Sequence, residues 1–312
     1  MSTIGTLVNT NMTLQSIKQM QDLASKLQGQ VSTGLKSQDY SGLDGNAGKL
    51  TNLQSSINQR QSYLDTITTV QQRIQETSNV VQNIETVISQ FSESLPNGAY
   101  GTTPIDIQSQ AKQILGEVSD LMNSQDGNRY ILAGSNVSTP PVDMTGLPNP
   151  GTLTTSVSSA PPNGYYTGDG TIAQAKVDTS TTVQYGVVAS NPAFENAIRA
   201  LNFLANLPAG SPSQTNATDV ANVNTATSLI GQSMTGLQAI LSNLSFTTAK
   251  LNNLQTAHTN ALNLTQTSIQ NIETVDPATA ITQLNQVETN LQASYSTISA
   301  LSGLSLTNYL KF

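Results

Sequence analysis

The chemistry open to this chain is limited first by its histidine and cysteine content. His258 is the only histidine among 312 residues, and there is no cysteine. A zinc-protease HExxH helix needs two histidines, and a Ser-His-Asp triad would have to use His258 without a Gly-x-Ser-x-Gly elbow. Glycine spacing gives neither a Walker loop nor a dinucleotide-binding fingerprint. The sequence therefore predicts no catalytic residue, no metal site and no cofactor.

Loop aspartates are the other residues that could bind a cation. None of their spacings matches the ligand positions of an EF-hand loop. Asp, Gly, Ser and Asn together favour turns, so turn formation is the simpler interpretation of each. The aspartates concerned are Asp39, Asp44, Asp126, Asp143, Asp169 and Asp178.

Composition excludes several classes of partner. Charged residues make up 10% of the chain, the net charge is −7, and the twelve Lys and Arg are scattered. Nucleic acid and anionic membrane surfaces both select clustered basic residues, so neither is expected as a partner. No apolar run approaches a membrane span, and the first thirty residues contain no signal-peptide core.

The elements that would position any site are organised around a long apolar stripe. Between Ile230 and Ile272, apolar residues recur at spacings of three and four in one phase, without a proline. This period predicts a helix roughly 64 Å long with a narrow seam facing a partner. The predicted rod-seam residues are Ile230, Leu237, Leu241, Leu244, Leu251, Leu262 and Ile269.

Four polar residues interrupt this seam. Thr248, Gln255 and Thr265 either fix the register of a coiled coil or lie at a solvated edge, and the sequence favours neither. His258 is either a buried, pH-sensitive residue or a partly exposed one, and we favour the exposed position.

A second stripe supplies the partner. It runs from Leu50 to Leu95 and ends at the turn residues Pro96-Asn97-Gly98. The predicted fold is mainly α with a β-rich insert. It is an elongated antiparallel helical rod, a coiled-coil-like bundle, with terminal helices for polymerisation.

Shorter segments complete the prediction. Residues 1–10 read as an irregular tail, and helices are expected over 11–31, 105–123, 192–207 and from 281 onwards. Gly34 suits a helix C-cap, and Asp276-Pro277 breaks the chain before the last helix.

Before the insert, residues 130–134 are expected to form a short strand or a buried extended segment. The insert has strand patterns at 152–157, 171–177 and 182–188, with Gly168-Asp169-Gly170 as a hairpin turn. The predicted boundaries are 1–48 for an N-terminal assembly segment and 49–136 for the first part of the rod. They continue with 137–192 for the β-rich outer domain, 193–275 for the rest of the rod, and 276–312 for a C-terminal assembly helix.

The terminal helices are too short and narrow to be stable alone. Either they pack on each other or on the rod, or they stay loosely ordered until they meet the same helices of neighbouring subunits; we favour the second interpretation. The predicted assembly interface is Leu14, Ile17, Leu27 and Val31 with Leu284, Leu291, Ile298 and Leu301.

These segments carry a family resemblance. Residues 27–34 (LQGQVSTG), the long helix after them, and residues 291–310 (LQASYSTISALSGLSLTNYL) resemble the bacterial flagellin superfamily. Residues 121–141 and the insert at 164–194 are most similar to its hook-associated protein 3 family of hook–filament junction proteins. The loop at 37–48 lacks the Asp-Asp-Pro that usually follows the STG motif.

The resemblance implies a secreted structural subunit of the bacterial flagellum that joins hook to filament, and so a role in motility. The implied partners are further copies of the chain, neighbouring hook-associated and flagellin subunits, and an export chaperone on residues 278–301. It also implies type III export with an uncleaved signal.

Two other functions stay open. The chain could be the flagellin of the filament itself. It could also be a stalked surface adhesin whose β-rich insert binds carbohydrate or host protein, with Tyr165, Tyr166 and Tyr185 lining the site.

Overall fold

The computed structural model describes residues 2–43, 45–95, 106–147, 164–207, 212 and 216–303, with the side chains of 2–10 and 301–303 left aside. The chain divides into two compact units. The terminal unit is Met1–Gln59 with Asn260–Phe312, and the central unit is Arg60–Thr259. The long helices α2 (Ala47–Ser94) and α5 (Ala217–Glu273) each contribute to both.

The terminal unit is built from α1 (Ser2–Thr33), α6 (Pro277–Gly303) and the adjoining ends of α2 and α5. The expected irregular tail at 1–10 is wrong, because α1 begins at Ser2. Gly34 ends α1 with φ of 71°, as its predicted C-cap role requires. α6 starts at Pro277, directly after Asp276, whose carboxylate accepts a hydrogen bond from the Ala278 amide at 3.0 Å. This is the usual N-cap arrangement with proline in the first helical position.

In the central unit α2 and α5 run antiparallel. Gln71 donates to Asn252 at 2.7 Å, and Gln238 donates to Glu85 at 3.0 Å. The earlier residue of α2 thus pairs with the later residue of α5, as two antiparallel helices require. The predicted antiparallel helical pair is confirmed in this unit.

Two shorter helices fill the central unit. α3 (Ile107–Met122) packs against α4 (Pro192–Ala205), close to the predicted ranges. Nearly all of α4 is buried, including its polar residues Glu195, Asn196 and Asn202. Gly236 of α5 has a close approach to Ala193 of α4, since a Cβ at Gly236 would lie 2.7 Å from the Ala193 Cβ.

The described residues contain two small antiparallel hairpins, one just before the predicted β-rich insert and one within it. β1 (Gln125–Asp126) pairs with β2 (Arg129–Tyr130), and β3 (Gln174–Lys176) pairs with β4 (Thr182–Gln184). The strands predicted at 171–177 and 182–188 therefore exist in shorter form. Of the segment predicted at 130–134, Tyr130 belongs to β2. Residues 152–157 lie outside the described residues.

The predicted hairpin turn at Gly168-Asp169-Gly170 is wrong. The chain reverses between β3 and β4, where the Val177 amide donates to the Thr181 carbonyl at 2.9 Å. Asp169 instead accepts from the Ser135 amide at 2.7 Å and the Thr171 amide at 3.1 Å. The two glycines therefore flank an aspartate whose side chain accepts hydrogen bonds from backbone amides of two loop segments.

Candidate functional site

The terminal helix pair is the first candidate site. α1 packs against α6 of the same chain. Ile17 and Leu27 of α1 are buried, as are Ala280 and Val287 of α6. Gln21 Nε2 also donates to the Tyr295 hydroxyl at 2.7 Å. The two terminal helices thus pack on each other, which is the interpretation that we did not favour.

A short junction joins the end of α1 to the end of α5. The Lys36 amide donates to the Glu273 carbonyl at 2.7 Å, and the Val275 amide donates to the Gly34 carbonyl at 3.0 Å. Lys36 Nζ donates to the Asn271 carbonyl at 2.8 Å. A cation at the last turn of a helix satisfies carbonyls that lack partners and interacts favourably with the helix dipole. These hydrogen bonds hold the loop that follows α1 against the turn between α5 and α6.

The seven described residues of the predicted assembly interface fall into three groups by exposure. Ile17 and Leu27 are buried, and Leu14 is 52% exposed. Intermediate exposure is found at Val31, Leu284, Leu291 and Ile298. The Leu301 side chain lies outside the described part of the chain.

The helix pair also leaves large apolar side chains in solvent. With 3.6 residues per turn, Met12 and Leu23 lie about 20° apart around α1, and Ile281 and Tyr295 lie about 40° apart around α6. Each pair therefore occupies one side of its helix. The exposed apolar side chains of the terminal helices are Met12, Leu14, Leu23, Ile281 and Tyr295. Of these, the predicted interface included Leu14. The sequence placed Ile281 in the stripe of the last helix without assigning it to the interface, and it missed the other three, which lie outside the stripes that the periodicity marks.

The predicted rod-seam residues all lie on α5. Five are buried and two have intermediate exposure. The buried ones are Ile230, Leu237, Leu244, Leu251 and Ile269, and the others are Leu241 and Leu262. Of the polar seam residues, Thr248 and Thr265 donate their hydroxyls to carbonyls of α5 itself, at 3.0 and 2.7 Å.

His258 is buried, so the partly exposed position that we favoured is wrong. Its side chain is 3% exposed, and its ring stacks on Tyr63 of α2 with centroids 5.5 Å apart. Nε2 lies 2.9 Å from the Val177 carbonyl, an acceptor, so Nε2 carries the proton. Nδ1 is buried with no hydrogen-bond partner among the described residues. The arrangement ties the β3–β4 hairpin to the two long helices.

The three tyrosines considered for ligand binding differ in availability. Tyr165 is fully buried, its hydroxyl donates to the Ala189 carbonyl at 3.2 Å, and burial raises its pKa. Burial raises the pKa of Tyr166 to about 12, and its hydroxyl donates a hydrogen bond to the Asp169 carbonyl. Tyr185 accepts from Arg73 Nη1 at 2.8 Å. Tyr165 has therefore no surface left for a ligand.

The loop aspartates Asp39 and Asp143 act as helix caps. Asp143 accepts from Thr145 Oγ1 at 2.7 Å and from the Thr145 amide at 2.9 Å, and Asp39 accepts from Ser41 Oγ at 2.6 Å. These hydrogen bonds hold the pKa of each carboxyl below its ordinary value. Asp44 lies outside the described residues. Among the described residues, no group of three or more His, Asp or Glu side chains could hold a metal ion.

One small cavity gathers charged side chains. Arg73 and Glu76 of α2 line it together with Asp126 and Arg129 of the β1–β2 hairpin, and its volume is about 50 Å³. Loss of hydration raises the pKa of Glu76, and the neighbouring Asp126 raises it further. The charges offset one another across a space too small for an organic ligand. We call it the charged cavity.

Among the described residues, no helix combines the length and the apolar character needed to cross a membrane.

Comparison with known proteins gives a fold relationship. No family model and no curated protein matches the sequence. A solved structure of a protein from Vibrio parahaemolyticus, assigned as flagellar hook-associated, matches with a TM-score of 0.52 at 13% identity. The match covers 72% of this chain and 96% of that one. The fold that the resemblance implied is therefore present.

Two further solved structures match with lower scores. The Bacillus cereus protein FlgL gives a TM-score of 0.48 at 14% identity, over 66% of this chain and 98% of that one. Flagellar hook-associated protein 3 of Legionella pneumophila gives 0.47 at 13% identity, over 72% and 97%.

Proposed function

We propose that this chain is a structural subunit of the bacterial flagellum that joins the hook to the filament and assembles through α1 and α6. The observation that carries the proposal is the α1–α6 pair, whose exposed apolar side chains leave burial to be completed by another molecule. The fold shared with the Vibrio parahaemolyticus protein supports the flagellar assignment.

The proposal assigns roles to the segments predicted above. Residues 1–48 and 276–312 form the assembly segments, 49–136 and 193–275 the rod, and 137–192 the outer β-rich domain. Neighbouring hook-associated and flagellin subunits and further copies of the chain complete the apolar surface. Before export, a chaperone covers residues 278–301. The role requires packing and geometry alone, and no catalysis.

Introducing a negative charge on the exposed apolar surface tests the proposal. Leu14→Glu and Leu23→Glu alter exposed side chains, so the monomer should keep its stability within about 0.5 kcal/mol. Buried in an assembled interface, the same carboxylates would be unpaired, and incorporation into flagella should fall at least about tenfold. Immunoblots of isolated flagella and swimming assays measure this in the bacterium that makes the protein.

Leu264→Glu is the matched control, because Leu264 is 70% exposed on α5, outside the terminal helices. Normal incorporation of the Leu14 and Leu23 variants would overturn the proposed interface. An adhesin would show the opposite dependence, because its ligand binding should be unchanged in the Leu14 and Leu23 variants.

Antibody labelling of isolated flagella separates the junction role from the filament role. Label confined to the point beside the hook supports the junction protein. Label along the whole length would show instead that the chain is a filament flagellin.

A further inference from the structure

A second, larger groove lies in the central unit and differs in character from the charged cavity. One wall is the chain from β4 onward, residues 184–188, with Ile172 and Asn191, and the other is one face of α5. The groove measures about 360 Å³, within the usual range for small-molecule pockets. We call it the neutral groove. From α5 it is lined by Ile240, Asn243, Leu244, Phe246 and Thr247.

The lining of the neutral groove carries no charged side chain. The charged cavity shares Tyr185 and Gly186 with it, yet is lined by two arginines and two carboxylates. One short segment thus borders a charged site too small for a ligand and an uncharged site large enough for one. An ionic ligand would find no counter-charge in the neutral groove, so its ligand should itself be uncharged.

Phe246 offers a flat apolar surface at this groove. Its side chain is 73% exposed, and Ile172 in the opposite wall is also exposed. Phe246 lies outside the buried seam of α5, and Ile172 is exposed in the opposite wall, so core packing accounts for neither side chain. The negative face of an aromatic ring attracts the weakly positive C–H groups that a sugar ring presents on one side.

Carboxamides supply the polar contacts beside that surface. Gln184, Asn191 and Asn243 each combine a donor and an acceptor in one planar group, which suits adjacent hydroxyls on a sugar. Asn191 Oδ1 already accepts from the Ala193 amide at 3.0 Å, so its NH₂ is the group that remains for a ligand. Ile240 and Leu244 are buried beneath and hold the wall in place.

We infer that the neutral groove binds an uncharged saccharide unit, with Phe246 stacked on the sugar ring and the three carboxamides bonded to its hydroxyls. A protein partner would need about 800 Å² of surface on this side, and a small concave site fits a single ring better. The inference is independent of the proposed function, because the groove lies in the central unit.

The test is binding of neutral oligosaccharides to the full chain. Maltotriose, mannotriose, lactose and triacetylchitotriose are titrated by calorimetry and by saturation-transfer NMR, with sialyllactose as the charged comparison. At least one neutral sugar should bind more tightly than sialyllactose. Phe246→Ala should weaken that binding about tenfold, the scale of one aromatic contact.

Two further variants make the result specific. Leu264→Ala removes an equally exposed side chain of α5 away from the groove, and binding should be unchanged. Asn243→Asp places a negative charge in the groove and removes one carboxamide, so it should weaken the binding of neutral sugars. Circular dichroism melts confirm that each variant is folded.

Three results would overturn the inference. The first is no saturation transfer from any of the four neutral sugars. The second is wild-type affinity in Phe246→Ala. The third is a Phe246-dependent self-association in sedimentation velocity without sugar binding, which would make the groove a protein contact.

Discussion

The terminal and central units bury their side chains to very different degrees. In the central unit one continuous apolar core joins α2, α3, α4, α5 and the β-rich insert. In the terminal unit Leu43, Leu50 and Ile269 form a small separate cluster. Large apolar side chains such as Met12 and Tyr295 remain exposed there.

This difference has a thermodynamic consequence. Helices draw most of their stability in a protein from packing an apolar face, and isolated helices are marginal in water. The central unit supplies that packing from its own chain. The terminal unit supplies part of it, so binding of another molecule would stabilise it by mass action.

The largest expected effect separates the two units in one experiment. Phe194→Ala removes a fully buried ring from the central core and should lower the free energy of unfolding by about 3–5 kcal/mol. Leu27→Ala removes a buried side chain of the terminal unit. It should make α1 and α6 open at lower denaturant while the main transition stays in place.

Urea titration followed by circular dichroism, with hydrogen exchange resolved by peptide, measures both. Phe246→Ala is the control for losing an exposed ring, with an expected change within about 0.5 kcal/mol. If Leu27→Ala shifts the single main transition as far as Phe194→Ala does, the two units unfold together and the comparison fails.

A pair of glycines gives a smaller, sharper contrast. Gly34 in the terminal unit and Gly134 in the central unit have φ of 71° and 74°. A Cβ at Gly34 meets nothing within 4 Å, whereas one at Gly134 would lie 2.5 Å from the Asp169 carbonyl oxygen. Gly34→Ala should therefore cost only the left-handed backbone penalty of about 1–2 kcal/mol.

Gly134→Ala should cost more, by the energy of moving the Asp169 loop, for a total of about 3 kcal/mol or above. Thermal melts of the two variants measure the difference. Equal losses would show that the loop around Asp169 yields without cost and is packed no more tightly than the terminal junction.

Local signals made the helices predictable. Gly34 and Asp276-Pro277 end and begin helices by backbone rules that depend on neighbouring residues only. The seam of α5 followed from its period, which is likewise a property of one segment. These features could be predicted without knowing which other segments pack against each helix.

The rest depended on contacts distant in sequence. His258 is buried because Val177 and Tyr63 cover it, and the sequence does not say which segments meet there. The neutral groove brings residues 184–188 to α5 in the same way. Asp169 was predicted to be a turn residue because glycines flank it, yet its carboxylate accepts a hydrogen bond from the Ser135 amide. Such pairings arise from tertiary packing, which overrides local preference.

The smallest predicted effect compares one aspartate from each unit. Hydrogen bonds from Ser135 hold the pKa of Asp169 below its ordinary value of 3.8, and those from Thr279 do the same for Asp276. A carboxyl with a lowered pKa in the folded state stabilises the fold above its unfolded pKa, and this contribution disappears as the pH falls through the folded pKa.

Asp169→Asn should therefore lower the melting temperature at pH 7, and the gap to the unsubstituted protein should close as the pH falls from about 5 to about 2. Asp276→Asn should lower the melting temperature by less, because asparagine caps a helix nearly as well as aspartate. Melts across this range measure both. A gap for Asp169→Asn that stays constant to pH 2 would mean that the lost hydrogen-bond geometry, and not the charge of the carboxylate, holds the loop to Ser135.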